Sequence, residues 1–155
     1  MLADATRILF VCHGNICRSV MAEMMLKDRL KKLHRENEFF IDSAATSTEE
    51  IGSPIYPPAR RKLIEKGVDP GNHTARQVRR NDYERFDMII GMDSANIRNL
   101  CRLFDGDPES KVFRMMDFAG QQRDISDPWY TDDFESTYRD LQQSMEGLLE
   151  RLKVK

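Results

Sequence analysis

Four short apolar runs alternate with longer amphipathic segments along the chain. These mainly apolar runs occupy 8–11, 39–41, 88–90 and 112–115, and the last of them contains Arg114. Continuous runs of this length are typical of strands buried on both faces. Apolar residues near helical spacing predict helices over 18–33, 57–66, 94–104 and 132–152. This order predicts an α/β fold in which four parallel strands form one sheet, with helices on both faces.

Length and composition predict one domain over 1–155 and exclude several classes of function. The 155 residues suffice to bury a core, and the net charge of −2 gives no support for nucleic-acid binding. No apolar run approaches the roughly 18 residues of a membrane helix, so membrane insertion is not expected. The first ten residues lack a secretory signal, and the three cysteines suit free thiols. A cytoplasmic location is therefore expected.

The segment between the first strand and the first helix reads CHGNICRS, residues 12–19. Ligands of open parallel sheets bind beyond the carboxyl ends of the strands. Backbone N–H groups at a helix start and the helix dipole attract anions, and Gly14 lets the backbone bend or approach a ligand closely. Arg18 adds a planar fork that can hold two phosphate oxygens. These features predict a phosphate-binding loop after the first strand.

Cys12 begins this segment and is predicted to act as a nucleophile. The same N–H groups, the dipole and Arg18 would favour its thiolate, and Ser19 could donate a hydrogen bond to the sulfur. A zinc site would need about two more ligands, and the remaining Cys and His residues are scattered, so no metal site is expected. Neither glycine-rich nucleotide motif is present.

A thiolate that displaces an alkoxide or phenoxide from phosphorus needs a general acid. Three aspartates precede proline, which favours extended backbone at the preceding residue. Asp127 is followed by Trp129 and Tyr130, aromatic residues that could flank a substrate ring. Asp69 and Asp107 have no such neighbours and are interpreted as turn residues. Asp127 is therefore the predicted general acid.

These motifs resemble those of the low-molecular-weight protein tyrosine phosphatases. The likeness covers nearly the whole chain and is carried by VCHGNICRS at 11–19, IDSAATS at 41–47, HTARQV at 73–78, MD at 92–93 and DPWY at 127–130. The resemblance implies a small twisted four-stranded parallel sheet. It implies hydrolysis of phosphotyrosine and small aryl phosphates, with no metal or organic cofactor. The implied partners are phosphotyrosine-containing proteins, with phosphate or another oxyanion as product or inhibitor.

The resemblance also implies residue roles. Cys12 forms a phosphocysteine, Arg18 binds the phosphate, and Asp127 acts first as acid and then as base. The phosphate-binding loop comprises His13, Gly14, Asn15, Ile16, Cys17, Arg18 and Ser19. A supporting network is expected from Asn15, Ser19, Ser43 and His73, and the wall of the substrate cleft from Glu49, Trp129 and Tyr130. Family members often carry an aromatic residue where this chain has Glu49, which leaves the substrate preference open.

Two other functions remain as alternatives. A thioredoxin-coupled arsenate reductase resembles this fold and loop but passes a disulfide along further cysteines. The only cysteine here outside the loop is Cys101, on a helical stripe predicted to be core. A phosphate- or phosphotyrosine-binding module would need neither Cys12 nor Asp127. We further predict that Cys12 and Cys17 form a disulfide under peroxide, which would protect Cys12 from irreversible oxidation.

Overall fold

The computed structural model describes residues 5–154 and contains one four-stranded parallel sheet. The strands are β1 (Thr6–Cys12), β2 (Phe39–Ala45), β3 (Met88–Gly91) and β4 (Val112–Arg114). Their order across the sheet is β2-β1-β3-β4, and every adjacent pair is parallel. The α/β prediction is therefore confirmed. β1 and β2 extend beyond their apolar runs because they pair along seven residues, from Thr6↔Phe39 to Cys12↔Ala45.

Six α-helices surround the sheet in the described residues. They are α1 (Arg18–Lys32), α2 (Pro57–Glu65), α3 (Asp82–Arg85), α4 (Ser94–Leu103), α5 (Pro128–Thr131) and α6 (Phe134–Arg151). Two short 3₁₀ helices occupy Glu36–Glu38 and Met115–Ala119. The prediction that the last helix begins at residue 132 was wrong. Asp132 has a left-handed φ of 59°, and the side chain of Asp133 caps α6 by accepting a hydrogen bond from Ser136 N.

Alternate residues of β1 pack on opposite faces of the sheet, as the pleat of a strand requires. Ile8 and Phe10 belong to the larger core cluster, which also holds the buried residues of α1, α2 and α6. Leu9 and Val11 belong to a smaller cluster that includes Leu100 of α4. All four β1 side chains are fully buried. The strand thus anchors the segment that follows it from both faces.

The topology places the carboxyl end of β1 at the switch point of the sheet. The chain leaves β1 through α1 to β2 on one side, and β3 pairs with β1 on the other. The loop after β1 and the residues after β3 therefore meet at the same edge, where ligands of such sheets bind. None of the helices in residues 5–154 combines the length and apolarity that crossing a membrane would require.

Candidate active site

Residues 13–17 form a loop whose backbone faces a cleft. Asn15 adopts a left-handed φ of 59°, which turns the chain between β1 and α1. The N–H of Asn15 points to Cys12 Sγ at 3.3 Å. Within residues 5–154, the N–H groups of residues 13, 14, 16 and 17 have no hydrogen-bond acceptor. Such unpaired donors before a helix form a site for an anion.

Cys12 lies at the base of this cleft. Its residue is only 3% exposed, and its Sγ lies 3.0 Å from Ser19 Oγ. Ser19 Oγ already accepts a hydrogen bond from Asn15 Nδ2 at 2.8 Å. The hydroxyl proton of Ser19 is therefore free to be donated to the sulfur. Two donors, the Asn15 amide and the Ser19 hydroxyl, converge on a sulfur that lines the cleft.

Arg18 is the first residue of α1, and its side chain is 2% exposed. Nη1 donates to Asp93 Oδ2 at 2.7 Å and to the carbonyl oxygen of Ile125 at 2.9 Å. Nε lacks a partner, and it is the one buried side-chain nitrogen or oxygen in the described residues that does. A buried donor without a partner is unfavourable. A tetrahedral oxyanion bound by the loop would satisfy it.

Asp127 stands at the rim of the same cleft. Its Oδ2 lies 3.4 Å from Arg18 Nη2, and its Oδ1 accepts from Trp129 N at 3.1 Å. The second bond caps α5, whose first residue is Pro128. The sequence Asp-Pro thus starts a short helix and holds the carboxylate over the loop. The structure brings Cys12, Arg18 and Asp127 into one cleft.

Aromatic and acidic residues form the walls of the cleft. Trp129 and Tyr130 line it and are 51% and 81% exposed. The ring of Tyr56 packs against that of Trp129 with centroids 4.7 Å apart, which supports the wall from behind. On the opposite lip lie Glu49 and Glu50, and Glu49 contacts the His13 ring. The predicted wall residues therefore all face the cleft.

Charge and burial act on two groups of the loop. Burial and the neighbouring Cys12 raise the pKa of the Cys17 thiol far above its ordinary value, so Cys17 stays protonated. Burial alone would lower the pKa of Arg18, but Cys12, Asp127 and Asp93 raise it above its ordinary value. The loop therefore contains one neutral thiol and a permanent cation next to Cys12.

Comparison with known proteins agrees with this geometry. The family model described as low molecular weight phosphotyrosine protein phosphatase matches residues 7–155. The chain belongs to this family. It is 38% identical to the low molecular weight phosphotyrosine protein phosphatase of Gallus gallus, over 96% of each chain. The resemblance inferred from the motifs is thus confirmed.

Two solved structures share the fold of this chain. The crystal structure of YfkJ from Bacillus subtilis superposes with a TM-score of 0.93 at 34% identity, covering 96% of this chain and 95% of that one. A structure named drosophila arginine phosphatase superposes with a TM-score of 0.87 at 28% identity, covering 96% and 98%. The matches span nearly the whole of each chain, so the loop, the cleft and the closing helix all fall within the shared fold.

In this phosphatase the predicted supporting residues meet beneath the loop. Asn15 Nδ2 donates to Ser43 Oγ at 3.0 Å as well as to Ser19. Asn15 Oδ1 accepts from His73 Nε2 at 2.8 Å and from Arg76 N at 3.3 Å. All four hydrogen bonds end on one buried side chain, which is 1% exposed. They hold Asn15 in its left-handed conformation and so maintain the shape of the phosphatase loop.

Sequence reasoning missed two contributors to the site, Glu23 and Tyr56. Glu23 accepts from Ser43 Oγ at 2.6 Å, and its position four residues after Ser19 on α1 could have indicated it. Tyr56 supports Trp129, but nothing in the local sequence signals that contact. Asp93, which belongs to the MD motif at 92–93, has two roles: it accepts from Arg18 Nη1 at 2.7 Å, and it caps α4 by accepting from Asn96 N at 2.8 Å.

The structure corrects the interpretation of Cys101. This thiol was predicted to pack in the core but is only partly buried. Leu100 and Phe104 occupy the core positions at α4. Cys101 follows Leu100 by one residue and therefore lies on a neighbouring part of the helix surface. Partial burial and the charge of Asp107 raise the pKa of Cys101. Cys101 does not line the cleft, so it is not placed to exchange a disulfide with Cys12.

Proposed function

We propose that the chain hydrolyses phosphotyrosine in proteins and small aryl phosphates through a phosphocysteine on Cys12. One observation carries this proposal. Cys12 Sγ, the unpartnered Nε of Arg18 and the carboxylate of Asp127 converge on a single cleft whose base is lined by free backbone N–H groups. A nucleophile, an oxyanion cradle and a proton donor are the three groups that phosphate-monoester hydrolysis requires.

In the proposed first step the phosphate enters the loop and its oxygens accept bonds from the backbone and from Arg18. The Cys12 thiolate attacks phosphorus, the S–P bond forms and the P–O ester bond breaks. Asp127, in its protonated form, gives its proton to the departing oxygen. The positive charge of Arg18 and the fixed N–H donors stabilise the charge that develops on the equatorial oxygens, because they need no reorganisation.

In the second step a water molecule attacks the phosphocysteine. Asp127, now a carboxylate, accepts the proton of that water. The S–P bond breaks, and Cys12 leaves as a thiolate stabilised by the Ser19 hydroxyl and the Asn15 amide. Inorganic phosphate is the product. Every group in both steps comes from the chain, so the proposed reaction uses no metal or cofactor.

The walls of the cleft favour an aryl leaving group. Trp129 is held by Tyr56 and presents a half-exposed indole beside the cleft. A phenyl ring attached to the bound phosphate could stack on it, and such aromatic pairs contribute about 0.5–1.5 kcal/mol beyond area burial. The exposure of Tyr130 leaves the outer cleft open to a protein segment on either side of phosphotyrosine.

The test is hydrolysis of p-nitrophenyl phosphate and of a phosphotyrosine peptide, each with a metal chelator present. The parent should release phosphate, whereas Cys12→Ser should show no turnover but still bind vanadate, because the cradle remains. Arg18→Lys keeps the charge but loses the planar fork, so it should also fail. Full activity in either variant would refute the assignment.

Two further substrates distinguish the alternatives in the same assay. Arsenate with a thiol reductant tests for a reductase, and phosphoarginine tests for the activity named for the Drosophila relative. A binding module would retain the phosphopeptide without releasing phosphate. Phosphotyrosine should be the preferred substrate, and faster turnover of phosphoarginine or arsenate would overturn the proposal.

A further inference from the structure

Glu23, Asp42 and His73 meet beside a second surface cavity, separate from the catalytic cleft. They come from α1, β2 and the segment between α2 and α3. One carboxylate oxygen or ring nitrogen of each lies within 4.8 Å of the other two. His73 Nδ1 is 3.5 Å from Glu23 Oε1 and 3.7 Å from Asp42 Oδ1. One nitrogen and two oxygens therefore face a common point.

The hydrogen bonds of Asn15 determine which ring nitrogen of His73 carries a proton. Asn15 Nδ2 donates to Ser19 and Ser43, so Oδ1 is the atom that faces His73. Oδ1 can only accept, and Nε2 must therefore carry the hydrogen. Nδ1, the other nitrogen, makes no hydrogen bond to any residue that the structure describes, although His73 is 12% exposed. It faces the two carboxylates alone.

Each of the two carboxylates uses one oxygen in an ion pair and turns the other oxygen toward His73. Glu23 Oε2 pairs with Lys27 Nζ at 2.6 Å, and Asp42 Oδ2 pairs with Arg76 Nη2 at 3.1 Å. The second oxygens, Glu23 Oε1 and Asp42 Oδ1, are the ones turned toward His73. Glu23 Oε1 also accepts from Ser43 Oγ, and the Glu23 side chain is 2% exposed. The packing thus fixes the direction of both oxygens.

These distances suit a metal ion better than a direct hydrogen bond. N–H···O bonds span about 2.7–3.2 Å, shorter than both distances from His73 Nδ1. Ligands at about 2.0–2.1 Å around a tetrahedral zinc ion are separated by roughly 3.3 Å. The observed distances from His73 Nδ1 to the two oxygens, 3.5 and 3.7 Å, are close to that separation. The three ligand atoms lie within 4.8 Å of one another, so small inward movements of the ring and of the Asp42 carboxylate would complete the coordination.

We propose that Glu23, Asp42 and His73 form a binding site for a divalent transition-metal ion, with Zn²⁺ as the best fit. Each carboxylate offers the ion one anionic oxygen that is not paired with Lys27 or Arg76, and an imidazole nitrogen selects against Ca²⁺ and Mg²⁺, which prefer oxygen ligands. The adjoining cavity, also lined by Asp28 and Asp69, leaves room for a water ligand. A metal on Nδ1 keeps Nε2–H directed at Asn15, so metal binding and the loop network are compatible.

Bound metal would join three separate parts of the fold. It would link α1, β2 and the segment that carries His73, and through His73 it would steady Asn15. An ion that binds only the folded chain raises its stability by mass action. At 100 times the dissociation constant, the expected rise in Tm is roughly 5 to 10 °C for a chain of this size.

The experiment titrates Co²⁺, and then competing Zn²⁺, into the Cys12→Ser chain, which removes the thiolate that would otherwise bind metal. In the Cys12→Ser chain, the site with Glu23, Asp42 and His73 unchanged should give cobalt d–d bands without sulfur charge-transfer absorption. The NMR signals of the His73 ring should shift. Asp42→Asn should weaken binding by about tenfold or more, because a ligand is lost. Asp28→Asn, which changes a carboxylate of the same cavity, is the matched control and should bind as before.

Asp42→Asn is the primary variant because Asp42 is partly exposed, whereas Glu23→Gln changes a buried group. The folding of the Asp42→Asn variant is checked by its retention of vanadate binding in the loop. Equal binding by Asp42→Asn and its control, a sulfur charge-transfer band, or unmoved His73 signals would each place the metal elsewhere and overturn the proposal. Absence of binding at millimolar Co²⁺ and Zn²⁺ would also overturn it.

Discussion

Asp93 Oδ2 accepts a 2.7 Å hydrogen bond from Nη1 of Arg18, while Asp93 Oδ1 accepts from Asn96 N at the start of α4. Asn96 completes a reciprocal capping box, because its Oδ1 accepts from Asp93 N at 3.1 Å. One carboxylate therefore anchors Arg18 to the start of α4. This arrangement leaves Nε of Arg18 free for an oxyanion.

Asp93→Asn should separate these two roles. When the amide oxygen caps α4, the amide nitrogen, which is a donor, meets the Arg18 donor, so the charged bond is lost. Hydrogen bonds to charged groups contribute about 1.5–3 kcal/mol, so kcat/KM should fall roughly 10- to 100-fold. Tm should change little, as measured by thermal unfolding. Asp124→Asn is the control, since Asp124 accepts from Ser94 without touching Arg18.

The fold could be predicted because its signals are local and repeated. Short apolar runs and helical stripes located the four strands and the four longer helices. α3 and α5 have four residues each, too few for any periodicity to show. The start of α6 was misplaced because Asp132 ends α5 in the left-handed conformation and Asp133 is the residue that caps α6. A hydrophobic pattern does not determine which single residue begins or ends a helix or strand.

The site was predictable where its parts are adjacent in the chain. Cys12 and Arg18 lie in one turn, and Asp127 is marked by the proline and aromatic residues that follow it. Residues that act through tertiary contacts gave weaker signals. Glu23 reaches Ser43 from another element, and Tyr56 reaches Trp129 across 73 positions. The dual role of Asp93 depends on a tertiary contact with Arg18, 75 positions earlier in the chain.

Asp127→Asn should reduce turnover by roughly 10²- to 10⁴-fold, as expected for loss of a general acid. The loss should be largest for phenyl phosphate and smaller for p-nitrophenyl phosphate, whose leaving group departs more readily without a proton. Steady-state rates across a series of aryl phosphates measure this. The amide still accepts from Trp129 N, so the cap of α5 is kept. An equal loss for every leaving group would indicate a structural role instead.

Cys17→Ser should reduce recovery from peroxide. Burial keeps Cys17 as a neutral thiol, so peroxide should first convert Cys12 to a sulfenic acid. Condensation with the Cys17 thiol would release water and form a disulfide that a reductant can open. After peroxide and then dithiothreitol, the recovered fraction of each variant's own untreated activity should fall several-fold in Cys17→Ser. Cys101→Ser, outside the cleft, should recover like the parent, and equal recovery in all three would exclude the disulfide.

Asp133→Ala should lower Tm in a pH-dependent way. The backbone N–H and hydroxyl of Ser136 donate to Asp133 and lower the pKa of its carboxyl below the ordinary value. Stability from such a group is present above the ordinary pKa of about 4 and is lost as pH falls through the folded pKa. The Tm gap to the parent should therefore be largest near neutral pH and narrow below pH 4. Asp133→Asn retains the cap and should stay close to the parent at neutral pH.

The Glu49→Gln, Glu50→Gln double variant should lose a preference for basic phosphopeptides. Both carboxylates line the lip, and Glu49 is 65% exposed beside His13. Their charge should act on the residues that flank phosphotyrosine and not on the phosphate in the loop. Because exposed pairs contribute up to about 1 kcal/mol, the parent should favour Lys- or Arg-flanked peptides over acidic ones by about 2- to 5-fold in kcat/KM. The preference should shrink at high salt, where the Debye length falls.

The Glu84→Gln, Glu109→Gln double variant removes the same charge away from the cleft and is the matched control. A parent without the preference, or a double variant that keeps it, would show that the lip does not select by charge.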